Sequence, residues 1–220
     1  MSPLVSCQDV ARTYGRGASA VVAVHGVTCA LRQGDRVALM GPSGSGKTTL
    51  LHLLAGLDRP TAGTIAWPGL DERPRGQVGV IFQGPSLLPP LDVAENVALP
   101  LLIAGCAEGE ARRRALAALA AVGVEGLAAQ LPEELSGGQA QRVAVARVLA
   151  GSPRLIIADE PTGQLDSARA HQVVDLLTEV AGRLDAALLV ATHDPVVAGR
   201  LPTHWEMRDG ALREDVPWSS

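Results

Sequence analysis

The stretch GPSGSGKTT, from Gly41 to Thr49, follows the apolar run RVALM and leads into KTTLLHLLAG, which is apolar along one face. It therefore connects a predicted strand to a predicted helix. Its glycines let backbone N–H groups approach an anion closely, and the start of the helix adds partial positive charge. Lys47 supplies a flexible cation for outer phosphates, and the Thr48 hydroxyl can hold Mg²⁺. This spacing predicts a phosphate-binding loop, or P-loop, for a nucleotide.

The composition is that of a globular protein, because 220 residues with 47% hydrophobic content can bury a substantial core. We expect one domain, or a domain with a subdomain. The net charge is −4, and acidic and basic residues are mixed along the chain. Proteins that bind nucleic acid usually carry a basic surface, so this charge pattern does not favour DNA or RNA as a partner.

Apolar runs and cysteine spacing both bear on the cellular location of the chain. The longest apolar candidate, VALPLLIAGCA, is shorter than the roughly 18 residues that cross a bilayer, and Pro100 interrupts it. Cys7, Cys29 and Cys106 are an odd number without CxxC spacing, which favours buried thiols over disulfides or a metal site. We therefore expect a cytoplasmic protein that contacts a membrane only through a partner.

Hydrophobic periodicity predicts an α/β protein in which strands alternate with helices. Strands are predicted at residues 4–10, 21–31, 36–40, 63–67 and 77–82, with a helix over 47–56. Residues 92–150 lose strand character and contain three predicted helices bounded by polar or glycine caps. Strand signals return in RLIIAD and AALLVAT, which a predicted helix over 167–183 separates.

Two adjacent acidic residues, Asp159 and Glu160, end the run LIIADE. Carboxylates at the end of a buried strand are costly unless they face a cation or water. Beside a P-loop, Asp159 can orient Mg²⁺ through water, and Glu160 can polarise the water that attacks a γ-phosphate. The alternative is an acidic loop that merely follows a core strand.

Together these residues resemble the ATP-binding cassette family, and the resemblance covers nearly the whole chain. The family's motifs occur in its order: Tyr14 for adenine stacking, the P-loop, Gln83 in IFQ, LSGGQ from Leu135 to Gln139, LIIADE, TGQLD ending at Asp166, and His193 in LVATHD. An ordered set is far more specific than any single motif. Two departures are a shortened segment over residues 67–82 and Gln164, where relatives usually have asparagine.

The resemblance implies an α/β fold with a P-loop NTPase core. This core has a mainly parallel sheet, an N-terminal antiparallel β-subdomain and an inserted α-helical subdomain. The single domain, 1–220, is thereby divided into a core with the β-subdomain (1–83 and 151–213), a helical subdomain that carries LSGGQ (84–150) and a tail (214–220).

The resemblance also assigns roles at the site, with ATP and Mg²⁺ as the implied cofactors. The implied catalytic residues are Glu160, His193, Gln83 and Lys47, and the implied metal ligands are Thr48, Gln83 and Asp159. The implied nucleotide contacts are Tyr14, Gly41, Ser43, Gly44, Ser45, Gly46, Lys47, Thr48, Thr49, Gln83, Ser136, Gly137, Gly138, Gln139 and Asp166. Tyr14 is the only tyrosine and lies in a polar stretch, which suits adenine stacking, with a surface aromatic as the alternative. Without the resemblance, His193 is more often structural, and a glutamine at a strand end is unremarkable.

A second glycine-rich turn lies in ELSGGQAQRVAVARVLA, from Glu134 to Ala150. Ser136 is a good N-cap, and the glycines after it leave backbone N–H groups exposed at a helix N-terminus. The turn has no lysine, so it suits a γ-phosphate already neutralised by Lys47 and Mg²⁺ better than it suits the capture of MgATP alone. The resemblance implies a head-to-tail homodimer in which this turn closes the partner chain's site. The alternative is an ordinary capped helix.

The function that the resemblance implies is an ATPase: a nucleotide-binding subunit that drives a separate membrane permease from the cytoplasmic face. ENVALPLLIAG with EPTGQLD resembles the branch of lipoprotein-release, macrolide-export and cell-division cassettes. Signalling through a membrane partner without transport is the second hypothesis for this branch. A cassette acting on ribosomes or DNA is disfavoured, since the chain has no tandem copy, coiled-coil insertion or basic extension. The apolar residues after Gln83 suggest a docking surface for another protein, with Leu87, Leu88 and Leu91 as candidates and core packing as the alternative.

Overall fold

The computed structural model describes residues 2–71, 74, 76–84, 86–162 and 167–214, with all their side chains except those of Ala18 and residues 167–169. The strands are β1 (Val5–Tyr14), β2 (Val21–Leu31), β3 (Arg36–Met40), β4 (Ala62–Ala66), β5 (Val78–Ile81), β6 (Leu155–Asp159), β7 (Ala187–Thr192), β8 (Thr203–Arg208) and β9 (Ala211–Arg213). The helices are α1 (Lys47–Leu54), α2 (Val93–Ile103), α3 (Glu108–Ala121), α4 (Gly137–Gly151), α5 (Ser167–Arg183) and α6 (Pro195–Ala198). Short 3₁₀ turns lie at Gly17–Ser19, Glu125–Leu127 and Pro132–Glu134.

The smaller sheet is antiparallel, with the strand order β2-β1-β4. β1 pairs with β2 from Val5 opposite Leu31 to Tyr14 opposite Val21, with irregularities between them. The strand is longer than the predicted 4–10, because backbone pairing continues through the polar segment ARTY, where side-chain alternation gives no signal. This extension places Tyr14 at the end of the smaller sheet.

The larger sheet has the order β5-β6-β7-β3-β8-β9, and every neighbouring pair is parallel except β8 with β9. Every residue of β6 and β7 is buried, as expected for central strands covered by helices on both faces. Met40 pairs with Thr192, and Asp159 pairs with Ala191, so β3, β6 and β7 end at one edge of the sheet. The residues that follow these three strands therefore meet at that edge.

Helices α2, α3 and α4 follow β5 in the chain, precede β6 and pack against one another. α2 begins with a capping box, in which the Asp92 side chain accepts from the Glu95 N–H and the Glu95 carboxylate accepts from the Asp92 N–H. The buried Asn96 amide accepts from the Leu88 N–H at 2.7 Å and donates to the carbonyls of Leu88 and Leu91. These bonds fix the loop that enters α2.

The predicted fold class is confirmed, because a mainly parallel sheet carries the P-loop beside an antiparallel N-terminal sheet and a helical insertion. β8 and β9 are absent from the sequence-based prediction, since THWEMRDGALR mixes charged and apolar residues without a clean period. Within the described ranges, no helix has both the length and the apolar character to cross a bilayer.

Candidate nucleotide-binding site

A cavity of about 490 Å³ opens at the edge of the larger sheet where β3, β6 and β7 end. It is lined by Ala23, Ser43, Gly44, Gly46, Lys47, Thr48, Thr49, Gln83, Asp159, Glu160 and His193. All of these except Ala23 are predicted site residues. Ala23 lies on β2, and nothing in its sequence context singles it out. The fold thus brings the P-loop, the acidic pair, Gln83 and His193 to one place.

Two P-loop glycines lie where the backbone of neighbouring strands leaves no room for a side chain. Gly46 has a φ of 101°, and a Cβ there would lie 2.2 Å from the carbonyl oxygen of Ala23. Gly41 has a φ of 149°, and its Cβ would lie 2.2 Å from the carbonyl oxygen of Met207. Any larger residue would displace the backbone. These glycines are therefore required by the packing of the backbone.

The hairpin of β8 and β9 supports the P-loop through backbone hydrogen bonds at Gly210. The Gly210 N–H donates to the Ser45 carbonyl at 3.1 Å, and the His25 N–H on β2 donates to the Gly210 carbonyl at 2.9 Å. Gly41 and Ser45 are absent from the cavity lining. These two predicted P-loop ligands therefore hold the loop in its conformation and do not line the cavity.

Lys47 is the buried cation of the site. Its ammonium donates to the carbonyl oxygens of Gly41 at 2.7 Å and Pro42 at 3.1 Å. The same nitrogen lies 3.7 Å from Glu160 Oε1, and both side chains are buried or nearly so. A charge held this way is positioned before any ligand binds, and it remains on the cavity wall where phosphate oxygens can reach it.

Glu160 follows β6 with a positive φ of 46°, an uncommon conformation for a residue with a side chain. Its backbone N–H donates to the Ala191 carbonyl at 3.0 Å, which continues the pairing of β6 with β7. Its Oε2 lies 2.9 Å from Nδ1 of His193. An ionised carboxylate can only accept, so Nδ1 carries the proton in this contact. The structure therefore links Lys47, Glu160 and His193 in one chain of contacts.

Asp159 and Thr48 supply oxygen atoms suited to a divalent cation. Asp159 is buried, and its Oδ1 has no hydrogen-bond partner within the described part of the chain. A buried carboxylate oxygen without a partner is costly unless a cation or water satisfies it. Mg²⁺ beside a nucleotide takes only one or two protein oxygens and draws its other ligands from phosphate and water. These residues therefore fit Mg²⁺.

Two further predicted ligands are Gln83 and Asp166. Gln83 is exposed on the cavity wall, two residues after the end of β5. Asp166 and Gln164 lie outside the described residues. In the loop after Gln83, Leu88 is exposed whereas Leu87 packs against the core formed by the helices.

Tyr14 lies outside the cavity lining and is held by two neighbours. Its hydroxyl donates to Asp58 Oδ2 at 2.8 Å. The guanidinium of Arg12 lies over its ring, 4.5 Å from the ring centre, and Arg12 Nε lies 2.9 Å from Asp58 Oδ2. Partial burial acts to raise the pKa of the Asp58 carboxyl, but the Arg59 N–H, the Tyr14 hydroxyl and the Arg12 charge outweigh it and hold that pKa below its usual value.

Arg12 and Asp58 are not among the predicted site residues. The signal for Arg12 is its place two residues before Tyr14 in the segment ARTY, since alternate residues of a strand share a face. Asp58 lies 44 residues away from Tyr14 and has no comparable local signal.

The second glycine-rich turn lies outside the lining of this chain's cavity. Ser136 caps α4: its side chain accepts from the Gln139 N–H at 3.3 Å, and the Gln139 side chain accepts from the Ser136 N–H at 2.8 Å. Ser136 and Gly137 are exposed, and a Cβ at Gly137 would meet nothing within 4 Å. With Gly138, they leave the N-terminus of α4 open to solvent.

Comparisons with known proteins agree with this geometry. A family model described as ABC transporter matches residues 24–163. The lipoprotein-releasing system ATP-binding protein LolD of Legionella pneumophila strain Paris is 42% identical over 219 residues, which cover 95% of this chain and 96% of that protein. LolD of strain Lens is 41% identical with the same coverage.

Solved structures show the same architecture. The dimeric ATP-binding cassette MJ0796, bound to ADP and Pi in a post-hydrolysis state, matches with a TM-score of 0.85 and 34% identity over 97% of this chain and 100% of that one. CbiO1 of Clostridium perfringens, part of the ABC transporter complex cbiONQ, matches with a TM-score of 0.82 and 28% identity over 97% of this chain and 88% of that one. The chain therefore belongs to the ABC transporter family, as a nucleotide-binding ATPase subunit.

Proposed function

We propose that Glu160 is the base for ATP hydrolysis in this subunit and that each site is completed by a second copy of the chain. The observation that carries the first part is the continuous contact from Lys47 through Glu160 to His193 on the wall of one cavity. It combines a cation for phosphate, a carboxylate for water and a residue that holds the carboxylate in place.

The proposed roles follow from these contacts. Lys47 complements the charge of the outer phosphates, and P-loop N–H groups bind their oxygens. His193 Nδ1 holds Oε2 of Glu160, whereas Oε1 is 3.7 Å from Lys47, beyond hydrogen-bond length. Oε1 is therefore available to accept a proton from the attacking water. Thr48, Asp159 and Gln83 would hold Mg²⁺, which when bound supplies charge neutralisation at the phosphates.

Charge supports the proposal that the α4 turn acts on a partner's nucleotide. The turn offers N–H groups at a helix N-terminus but no lysine or arginine between Leu135 and Gln139. Such a turn suits an anion that is already largely neutralised elsewhere. In a head-to-tail homodimer, Ser136, Gly137, Gly138 and Gln139 of one chain would therefore cap the γ-phosphate held by the P-loop of the other. Tyr14 and Asp166 complete the proposed nucleotide contacts.

Mixed dimers test this sharing. One chain carries Lys47→Ala, which spoils its P-loop but leaves the α4 turn intact. The other carries Ser136→Arg, which spoils the turn but leaves the P-loop intact. If sites are shared, the mixed dimer has one doubly damaged site and one intact site. If each α4 turn instead contacts the nucleotide of its own chain, both sites are damaged.

The readout is the number of ATP molecules occluded per heterodimer, with Glu160→Gln added to both chains so that bound ATP persists. Two different affinity tags isolate the heterodimer. We expect one ATP per heterodimer and none in either homodimer. A heterodimer that carries both tags and occludes no ATP would refute the shared site.

We further propose that the cycle drives a separate permease, and that the system releases lipoproteins, as the name of the LolD relatives states. Identity of 42% over 95% of the chain supports this assignment. We assign the P-loop side of the ATP site to residues 1–83 and 151–213, and coupling together with the cap on the partner's nucleotide to the helical residues 84–150; residues 214–220 are a tail. Leu88, which is 44% exposed in the loop after Gln83, is the proposed contact with the permease.

The permease proposal is tested by isolation from native membranes with a tagged chain. We expect co-purification of a multispanning membrane protein and ATP-dependent release of a lipid-modified protein from reconstituted vesicles. ATPase activity that is coupled to a permease without any release of lipoprotein would contradict the cargo assignment alone.

A further inference from the structure

We infer that Arg12 and Asp58 are positioning residues for base recognition, because together they fix the orientation of the Tyr14 ring. This inference rests on the proposed role of Tyr14 as the aromatic that stacks on the base. It goes further by assigning a task to two residues outside the nucleotide cavity.

The three side chains form a closed cluster on one carboxylate oxygen. Asp58 Oδ2 accepts from the Tyr14 hydroxyl at 2.8 Å and lies 2.9 Å from Nε of Arg12. Its other oxygen, Oδ1, accepts from the Arg59 N–H at 2.7 Å, which fixes the carboxylate to the backbone. The Arg12 guanidinium covers one face of the Tyr14 ring. Asp58 thereby holds the hydroxyl of Tyr14 and Arg12 holds its ring, so rotation about both side-chain torsions of the tyrosine is restrained.

The ring is restrained without being hidden. Tyr14 is 40% exposed, so contact with Arg12 leaves aromatic surface for a planar ligand. Arg12 and Asp58 are less exposed, at 23% each for their side chains. A pre-oriented ring loses less conformational entropy when it stacks on a base than a freely rotating ring does.

The cluster also connects the base contact to the phosphate contact. Asp58 lies in the loop after α1, where its N–H donates to the His52 carbonyl at 3.3 Å. The first residue of the same helix is Lys47, in the P-loop. The short helix α1 therefore links the P-loop at its N-terminus with the cluster of Arg12, Tyr14 and Asp58 beyond its C-terminus. One helix therefore connects the proposed base contact with the proposed phosphate contact.

The test measures equilibrium dissociation constants for ATP and for inorganic tripolyphosphate, which has no base. We expect Arg12→Met and Asp58→Asn each to weaken ATP binding about two- to fivefold, the range for a partly exposed ion pair or cation–π contact. Tripolyphosphate binding should not change. The hydrolysis assay should show a raised KM with little change in kcat.

A double-mutant cycle separates positioning from general damage. Tyr14→Ala should weaken ATP binding by about tenfold or more, the range for loss of one stacked base. In the Tyr14→Ala background, Arg12→Met and Asp58→Asn should cause no further loss, because there is no ring left to orient. Arg12→Lys keeps the charge but loses the planar group. Compared with Arg12→Met, it should therefore recover only part of the lost ATP affinity.

Two results would overturn the inference. One is an equal loss of ATP affinity with and without Tyr14; the other is an equal loss of tripolyphosphate affinity, which points to damage of the whole site. Arg113→Met is the matched control, since Arg113 forms an exposed ion pair with Glu110 on α3. The proposed phosphate site is tested separately by Lys47→Ala, which should abolish tripolyphosphate binding whatever the effect of the Arg12 and Asp58 variants.

Discussion

Replacement of Glu160 by glutamine should have two opposite effects in this protein: slower hydrolysis and tighter ATP binding. The amide has the shape of the carboxylate but cannot accept a proton from water, so we expect hydrolysis to slow by roughly 10²-fold or more. The effect on binding arises from charge, because a negative group on the cavity wall repels the phosphates.

The size of the binding effect follows from the contact with Lys47. At 3.7 Å between Nζ and Oε1, the gross Coulomb attraction is about 4 kcal/mol at an effective dielectric constant of 20. Most of this is offset by desolvation of the two buried groups, which leaves a net effect of about 1 kcal/mol. In Glu160→Gln that attraction no longer competes with the phosphates for Lys47. We therefore expect ATP affinity to rise by about fivefold.

The assay combines single-turnover hydrolysis with equilibrium binding of a fluorescent ATP analogue at concentrations below dimer formation. Without nucleotide, the variant should also unfold at a lower temperature than the parent, because Lys47 loses its buried partner. Bound ATP should remove this difference in unfolding temperature. Glu110→Gln on α3 is the control, since Glu110 is in an exposed ion pair and should change neither quantity.

Two results would refute the reasoning. Hydrolysis at the parental rate would remove Glu160 as the base and make His193 the next candidate. Weaker ATP binding with slow hydrolysis would show that the amide disturbs the cavity rather than relieving repulsion in it.

Three further predictions concern the P-loop and the α4 turn. Lys47→Ala should abolish tight MgATP binding, measured with a fluorescent ATP analogue, and unchanged affinity would remove the P-loop from the mechanism. Gly46→Ala should lower the free energy of unfolding by about 2 kcal/mol or more, because its Cβ meets the Ala23 carbonyl and its φ is strained. By contrast, Gly137→Ala places a methyl in open space at the first residue of α4 and should leave stability unchanged or raise it by up to about 0.5 kcal/mol, less than in a helix interior. Urea denaturation measures both glycine variants, and an equal loss in the two would contradict the packing argument.

Much of the site is predictable from the sequence because it depends on local patterns at strand ends. Lys47, Asp159 and His193 each follow an apolar strand signal closely, and parallel strands end at one edge of a sheet. The α/β alternation therefore predicts that these strand ends meet, whereas the role of His193 at the site is implied by the family resemblance. The alternation also predicts an α/β protein, and the resemblance implies the P-loop NTPase core with its β-subdomain and helical insertion.

The remaining features depend on contacts between distant segments, which no local pattern encodes. Ala23 lines the cavity because β2 passes beside the P-loop. Asp58 meets Tyr14 across 44 residues, and the Glu160 contact with His193 spans 33 residues. β8 escapes prediction because its alternation is broken by charged residues. These parts of the site become visible only when the chain is folded.

The support that the P-loop receives from β8 and β9 has a consequence for synthesis of the chain. The loop is encoded at residues 41–47, yet its tight neighbours include the Met207 carbonyl and the Gly210 N–H. A chain emerging from the ribosome exposes its glycine-rich loop first and receives this support only after residues 207–210 have emerged. The nascent chain therefore carries the full P-loop sequence long before that loop is braced on both sides. ATP binding should accordingly be acquired late in translation, after residue 210 has left the ribosome.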